Sequence, residues 1–268
     1  VGGTVENFVK PALIRSVVVS PSGRYLAMVV PGGGDQGFRR LAVMDLEALD
    51  KPPAVGGIDN GDVTSPRWIN DKRLVFEAYE RGTEIKGGGT FAVNRDGSGL
   101  RQLIAWNYDM GGASSVLTMA KTLPYGWSAG GGWDDGTDDV FVSRYERNNR
   151  GEVQRIEAAR LNTVTAERRN LTQDMPPHTR SWISDANFKP RMATAYDEGM
   201  TVIYWRSADS DTWQEVGRFD DLKESGFYPW RIEGEDTALV WSRLDGDAAG
   251  IYKFDPVSKK VLPEPVIK

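Results

Sequence analysis

An all-β fold assembled from repeated antiparallel sheets is what this sequence predicts, on three observations. Short apolar strands recur between turns rich in Gly, Pro, Asn and Asp. Those strands are apolar on both parities, as in Arg24-Tyr25-Leu26-Ala27-Met28-Val29 and Met200-Thr201-Val202-Ile203-Tyr204-Trp205, so each needs cover on both faces. Helical periodicity is confined to fragments such as Val43 to Leu49 and Asp220 to Ser225. Composition agrees: 30 Gly and 14 Pro make about one residue in six, while nine each of Trp, Tyr and Phe supply apolar bulk. With 26% charged and 40% hydrophobic residues, the chain lies outside the disordered class.

The elements follow in order as five copies of one unit. Copy one has a strand from Ile14 to Val19, the turn Ser20-Pro21-Ser22-Gly23, a second strand from Arg24 to Val30 and a third from Leu41 to Leu46. Copy two has Pro66-Arg67-Trp68-Ile69, the turn Asn70-Asp71-Lys72, then Arg73 to Phe76 and Thr90 to Val93, closing at Asn94-Arg95-Asp96-Gly97. Copy three has Asp138 to Ser143 in the second-strand slot and Val153 to Leu161 in the third. Copy four gives Arg191 to Ala195 and Met200 to Trp205; copy five gives Tyr228 to Arg231, Thr237 to Trp241 and Gly250 to Pro256. Second-strand anchors at Leu26, Leu74, Val140, Met192 and Ala238 are spaced by 48, 66, 52 and 46 residues, the long gap matching an insertion over 107–132.

Four-stranded units at this period are the mark of a β-propeller, whose neighbouring blades cover one another's faces. One propeller domain is expected over 1–268, with blades at 12–58, 63–106, 117–173, 181–220 and 227–267.

Composition also removes functions. A net charge of -5 with scattered basic residues excludes the basic stripe that nucleic acid requires. No apolar run approaches the roughly 18 residues of a membrane-spanning helix, so no membrane partner is expected. Zero Cys removes disulfides, thiol nucleophiles and thiolate metal sites, and a single His, His178, removes any site that needs two imidazoles. No cofactor is expected. The start at Val1-Gly2-Gly3 reads as that of a processed or excised piece, and absence of Cys suits the periplasm and the cytoplasm alike.

Several motifs look chemical and have plainer readings. Gly126-Trp127-Ser128-Ala129-Gly130 matches the nucleophile elbow, but the Gly131-Gly132-Trp133-Asp134-Asp135-Gly136 that follows cannot start the required helix. A triad would need His178 as base, and His178 sits in the connector Met175-Pro176-Pro177-His178-Thr179. Ser128 is therefore expected in a flexible loop. Asp134, Asp135, Asp138 and Asp139 offer hard oxygen ligands for Ca²⁺ without the spacing of a calcium loop, and a solvated hairpin turn is expected. Gly32-Gly33-Gly34 and Gly87-Gly88-Gly89 lack what a phosphate loop needs and read as loops.

The opening Phe8-Val9-Lys10-Pro11, the Ser20-Pro21-Ser22-Gly23-Arg24-Tyr25-Leu26-Ala27 run, residues 68 to 76 and Val93-Asn94-Arg95-Asp96-Gly97-Ser98-Gly99-Leu100-Arg101-Gln102-Leu103 resemble the N-terminal β-propeller of prolyl-oligopeptidase-family serine peptidases. That family includes acylaminoacyl and dipeptidyl peptidases. Similar Ser-Pro-x-Gly turns occur in other bacterial propellers. The resemblance implies seven or eight blades and, after them, an α/β-hydrolase domain holding the catalytic triad, which this chain lacks. It implies a noncatalytic lid that limits peptide access to that partner domain; the alternative is a stand-alone scaffold propeller of a bacterial envelope.

On this reading four residues are candidates for gating substrate. Arg67, Trp68, Trp230 and Arg231 fall in predicted first strands, which line a propeller's channel. There an Arg can receive a peptide carboxylate and a Trp can stack on a side chain. The plainer reading has each Trp packed between blades and each Arg in solvated space. Arg144, Tyr145 and Glu146 are weaker candidates, expected in a long loop facing a partner domain. With fewer blades than the family implies, terminal blades would leave apolar faces uncovered, so self-association is expected.

Overall fold

A computed structural model of the chain describes residues 14–33, 37–59, 61–79, 89–105, 121–133, 135–223, 225–244, 246 and 248–267. Among them there are strands and turns and no helix, and hence no helix long and apolar enough to cross a membrane. Among the described residues, twenty strands form five four-stranded antiparallel sheets of the blade type, each in simple meander order.

Sheet 1 holds β1 (Arg15–Val19), β2 (Tyr25–Val30), β3 (Arg40–Asp45) and β4 (Ala54–Gly56). Sheet 2 holds β5 (Asp62–Asn70), β6 (Arg73–Tyr79), β7 (Gly89–Asn94) and β8 (Arg101–Ile104). Sheet 3 holds β9 (Ser128–Gly132), β10 (Asp139–Arg147), β11 (Val153–Asn162) and β12 (Arg168–Asn170). Sheet 4 holds β13 (Thr179–Ser184), β14 (Pro190–Asp197), β15 (Met200–Trp205) and β16 (Gln214–Phe219). Sheet 5 holds β17 (Phe227–Glu233), β18 (Thr237–Ser242), β19 (Gly250–Asp255) and β20 (Lys260–Ile267).

The chain divides into two compact units, residues 1–144 with 158–170 and residues 145–157 with 171–268. In the first, strand parity sorts the core. Leu74, Phe76 and Ala78 of β6 point to a cluster with Tyr25, Ala27 and Val29 of β2 and Leu41 and Val43 of β3. Val75, on the opposite parity, joins Val140, Val142, Ala159 and Leu161 of sheet 3. Both faces of sheet 2 are thus dry, which is why its strands are apolar at nearly every position. In the second unit, Met192, Ile203 and Trp205 of sheet 4 pack on Ala238, Val240, Tyr252 and Phe254 of sheet 5.

Side-chain carboxylates and amides close the hairpins. Asn70 accepts from the backbone N–H groups of Lys72 and Arg73, Asp96 from Ser98, Asn162 from Val164 and Thr165, and Asp255 from Val257. These turns satisfy backbone donors that the ladders cannot reach, the reason Asn and Asp punctuate the repeats.

In every sheet, pairing of the first strand with the second shows a register shift. In β1 and β5 the shift brackets a serine in left-handed conformation, Ser16 at φ 51° and Ser65 at φ 48°. Bulges re-aim the side chains that follow them, and in β5 those are Arg67 and Trp68.

The fragments with helical periodicity follow the all-β reading: Val43 to Asp45 finishes β3, and Asp220 opens a turn closed by the Lys223 N–H on its carbonyl oxygen. Two expectations need correction. Ser128 is not in a loop. It begins β9, so sheet 3 starts inside the stretch read as an insertion. Nor are Arg144, Tyr145 and Glu146 in a loop, because β10 runs through them to Arg147.

The glycine run hid β9 from sequence reading, and close approach explains the glycines. A Cβ on Gly132 would lie 2.4 Å from the carbonyl oxygen of Ile69 in β5. A side chain there would hold the two first strands apart.

Candidate functional site

In the first unit, β1, β5 and β9 lie side by side, and the residues after the β5 bulge tie them together. Trp68 is half-buried, tilted against Tyr25 at 6.3 Å, and its indole N–H donates to the carbonyl oxygen of Val18 in β1 at 3.2 Å. Arg67, next in chain, goes the other way: its Nη2 donates to the carbonyl oxygen of Ala129 in β9 at 3.2 Å and lies 3.3 Å from Glu77 Oε1. The Arg67 side chain keeps 32% of its surface exposed, and its buried Nε has no hydrogen-bond partner. One adjacent pair therefore links three sheets, and Arg67 keeps open hydrogen-bonding capacity at its stem.

In the second unit, Trp230 occupies the bulge of β17, between Pro229 paired with Val240 and Arg231 paired with Leu239. It stands 40% exposed and meets Trp241 of β18, itself 42% exposed, edge to face at 6.2 Å. Arg231 is exposed beside it.

Trp241 also lines a cleft of about 510 Å³ shared with Asp221, Lys223, Tyr228 and Arg243. Inside it, the Tyr228 hydroxyl donates to Asp221, whose other oxygen accepts from Thr201 at 2.8 Å. Partial burial, with the Asp221 carboxylate adding to it, pushes the Tyr228 phenol up to about 12, so at neutral pH it stays a donor. The cleft thus offers an indole face and two cationic side chains beside the Asp221 carboxylate that holds the Tyr228 proton, a set suited to the apolar and anionic parts of one ligand. Sequence reading found Trp230 but missed Trp241 and Tyr228, because only strand pairing shows that they share its face.

The other motifs resolve into structure. Ser128 pairs with Ser143 across the β9–β10 ladder and no helix follows it, so the exposed, strained turn of a nucleophile elbow is not formed. His178 has φ 59° and its Nδ1 lies 3.1 Å from Asp197.

Asp135 and Asp139 are both ion-paired to Arg160, Asp139 also accepts from Asn162, and Asp138 accepts from Asn70. Burial works to raise the Asp135 carboxyl, but Thr137 and Arg160 outweigh it and hold it below the usual range. These carboxylates close a hairpin, and Asp134 lies outside the described residues. Among the described residues no group of three or more His, Asp or Glu is placed to hold a metal ion. Gly32 and Gly33 are in a loop, Gly89 begins β7, and Gly34, Gly87 and Gly88 lie outside the described residues. Arg144 stacks over Trp127 at 5.1 Å, Glu146 is ion-paired to Arg155 at 2.6 Å, and Tyr145 is 54% exposed.

No protein-family model and no curated protein matches the sequence. Among solved structures the chain is similar to a puromycin hydrolase, at 14% identity and TM-score 0.44 over 93% of this chain and 37% of that one. It is similar to prolyl oligopeptidase B from Galerina marginata, at 11% identity and TM-score 0.48 over 95% of this chain and 37% of that one. It is also similar to the β-propeller domain of the Trilobed protease from Pyrococcus furiosus, at 12% identity and TM-score 0.39 over 96% of this chain and 71% of that one. The chain spans 37% of the length of the first two. At these identities the likeness is one of fold.

Proposed function

We propose that this chain is a noncatalytic propeller module that receives peptides and limits their access to a separate α/β-hydrolase domain. The observation that carries the reading is the exposed Trp230–Trp241 pair, with Arg231 beside it, on the first and second strands of sheet 5. An edge-to-face indole pair left in water sacrifices apolar burial that a bound side chain would restore. Arg231 supplies a fork for a peptide carboxylate. In the first unit Arg67 and Trp68 do double duty, tying first strands together while Arg67 retains exposed surface toward substrate. The strand setting of Ser128 supports a module that leaves hydrolysis to its partner domain.

The test is a tryptophan-fluorescence titration of the chain with short aromatic peptides carrying a free or an amidated C-terminus. Saturable binding is expected, weaker for the amidated peptide and lost in Trp230→Ala and Arg231→Ala. A flat response to both peptides rejects the reading. A fluorophosphonate probe should leave Ser128 unlabelled, and stoichiometric labelling there would make the chain a hydrolase in its own right.

A scaffold propeller binding protein partners is the second reading. It is favoured by exposed apolar residues on β1 and β20, with Val19 and Ile267 each 55% exposed. Capture of a folded partner with no response to peptides would support it.

A further inference from the structure

Two second strands carry a buried arginine one position before the anchor, Arg73 in sheet 2 and Arg191 in sheet 4, and the two are compensated differently. Arg191 is 1% exposed, donates from Nε to the carbonyl oxygen of Arg206 at 2.7 Å, and has Asp185 at 3.4 Å and Asp236 at 4.0 Å. Arg73 is 3% exposed, and among the described residues its hydrogen bonds go to neutral groups. Nε donates to Thr163 Oγ1 at 2.7 Å, Nη1 to Asn94 Oδ1 at 2.7 Å, and Nη2 to the carbonyl oxygens of Thr163 at 2.9 Å and Gly99 at 3.2 Å.

Among the described residues no carboxylate stands within ion-pair distance of Arg73. Burial pulls its guanidinium below the ordinary arginine value, nearby Asp138 opposes this, and Arg101 adds to it. A buried cation without a counter-charge is costly, and proteins ordinarily pair such groups.

Arg73 forms part of the wall of a cleft of about 600 Å³ in the first unit, within the range of small-molecule sites. The same cleft is lined by Arg101, Lys121, Asn94, Gln102 and Thr122, and by no Asp or Glu among the described residues. Arg101 is held in place by donating to the carbonyl oxygen of Val164. The neighbouring cleft on sheet 3 is the contrast, since there Arg160 and Arg169 share the wall with Asp139 and Glu167.

We propose that the Arg73–Arg101–Lys121 cleft binds a small molecule bearing two or more phosphate charges, such as a diphosphate or its ester. The Arg101 fork can meet phosphate oxygens bidentately, Lys121 adds a mobile point charge at the rim, and Arg73, with four of its five N–H groups already donated, adds its charge and its one remaining Nη1 N–H. The anion supplies beside Arg73 the close counter-charge that Arg191 draws from Asp185, where Arg73 has only the more distant Asp138 among the described residues. This site is independent of the peptide reading and shares no residue with it.

The experiment is calorimetric titration of the chain with inorganic pyrophosphate at low ionic strength. Saturable binding tighter than about 1 mM is expected, weakened by added salt. The surface double variant Arg101→Gln/Lys121→Gln should weaken it at least about tenfold, while Arg169→Gln in the neighbouring cleft leaves it unchanged. Arg73→Met should abolish it if circular dichroism shows the sheets intact; should that variant not fold, the double variant decides alone. No saturable heat, or equal affinity in the double variant, overturns the proposal.

Discussion

The indole N–H of Trp68 donates to the carbonyl oxygen of Val18 at 3.2 Å, joining the first strands of sheets 1 and 2 across 50 residues of chain. Removing the donor and removing the ring should therefore separate two contributions. Trp68→Phe, which keeps aromatic packing on Tyr25, is expected to cost about 1 kcal/mol. Trp68→Ala loses the packing as well and is expected to cost about 3 kcal/mol. Urea unfolding at neutral pH measures both; equal costs would mean that ring packing adds nothing beyond the hydrogen bond, and a neutral Trp68→Phe that the hydrogen bond contributes nothing.

Gly132 admits no side chain where β9 crosses the Ile69 carbonyl. Gly132→Val should force the first strands apart and destabilise the chain by roughly 2 kcal/mol or more. Gly131→Val, at a position where a Cβ meets nothing within 4 Å, is the matched control and should be close to neutral. Comparable melting temperatures for the two variants would remove close approach as the reason for the glycine run.

Acid should unfold the protein through its turns. Ser98 holds Asp96 below the usual carboxylate range, Ser258 does the same for Asp255, and Lys223 for Asp220. Below the free-carboxyl value of about 4 the unfolded chain binds protons that these groups refuse in the fold, so stability rises with pH through that window. It is fully present above the window and drains away as pH falls through the depressed values. Melting temperatures between pH 7 and pH 2 should fall mainly below about pH 4. The double variant Ser98→Ala/Ser258→Ala should flatten that fall, and an unchanged profile would shift the acid sensitivity elsewhere.

Apolar surface on two strands predicts self-association. Val17 is 52% and Val19 55% exposed on β1, while Leu262, Val266 and Ile267 of β20 are 41%, 45% and 55% exposed. Pro263 and Pro265 remove two donors from β20, which discourages pairing along its edge and leaves side-chain contact as the route. Light scattering should show concentration-dependent oligomers, reduced by Val266→Asp/Ile267→Asp. A monomer at high concentration that binds no hydrophobic dye would contradict this.

What was legible in the sequence was periodicity with a physical cause. Two-sided apolar strands such as β6 and β15 and the Asn and Asp turns announce themselves, because dry faces and unsatisfied N–H groups leave few alternatives in residue type. β9 was not legible, since Ser128-Ala129-Gly130-Gly131-Gly132 has no strand propensity and is ordered by what packs on it. The candidate sites were legible only in part. Arg67, Trp68, Trp230 and Arg231 could be placed on first strands, but the bulges that aim them, and the joining of Arg73 with Arg101 and Lys121, depend on register and on contacts between distant segments.

The two dry faces of sheet 2 make its folding conditional. Leu74 and Phe76 on one parity and Val75 on the other gain their burial from separate neighbours, so no closed core exists until both neighbouring sheets have formed. The free energy of this unit is then a chain of nearest-neighbour couplings, as in a solenoid, with β6 and β7 the last to open. A ligand held at Arg73, which already donates to Thr163 beyond the end of β11, would act on one such coupling.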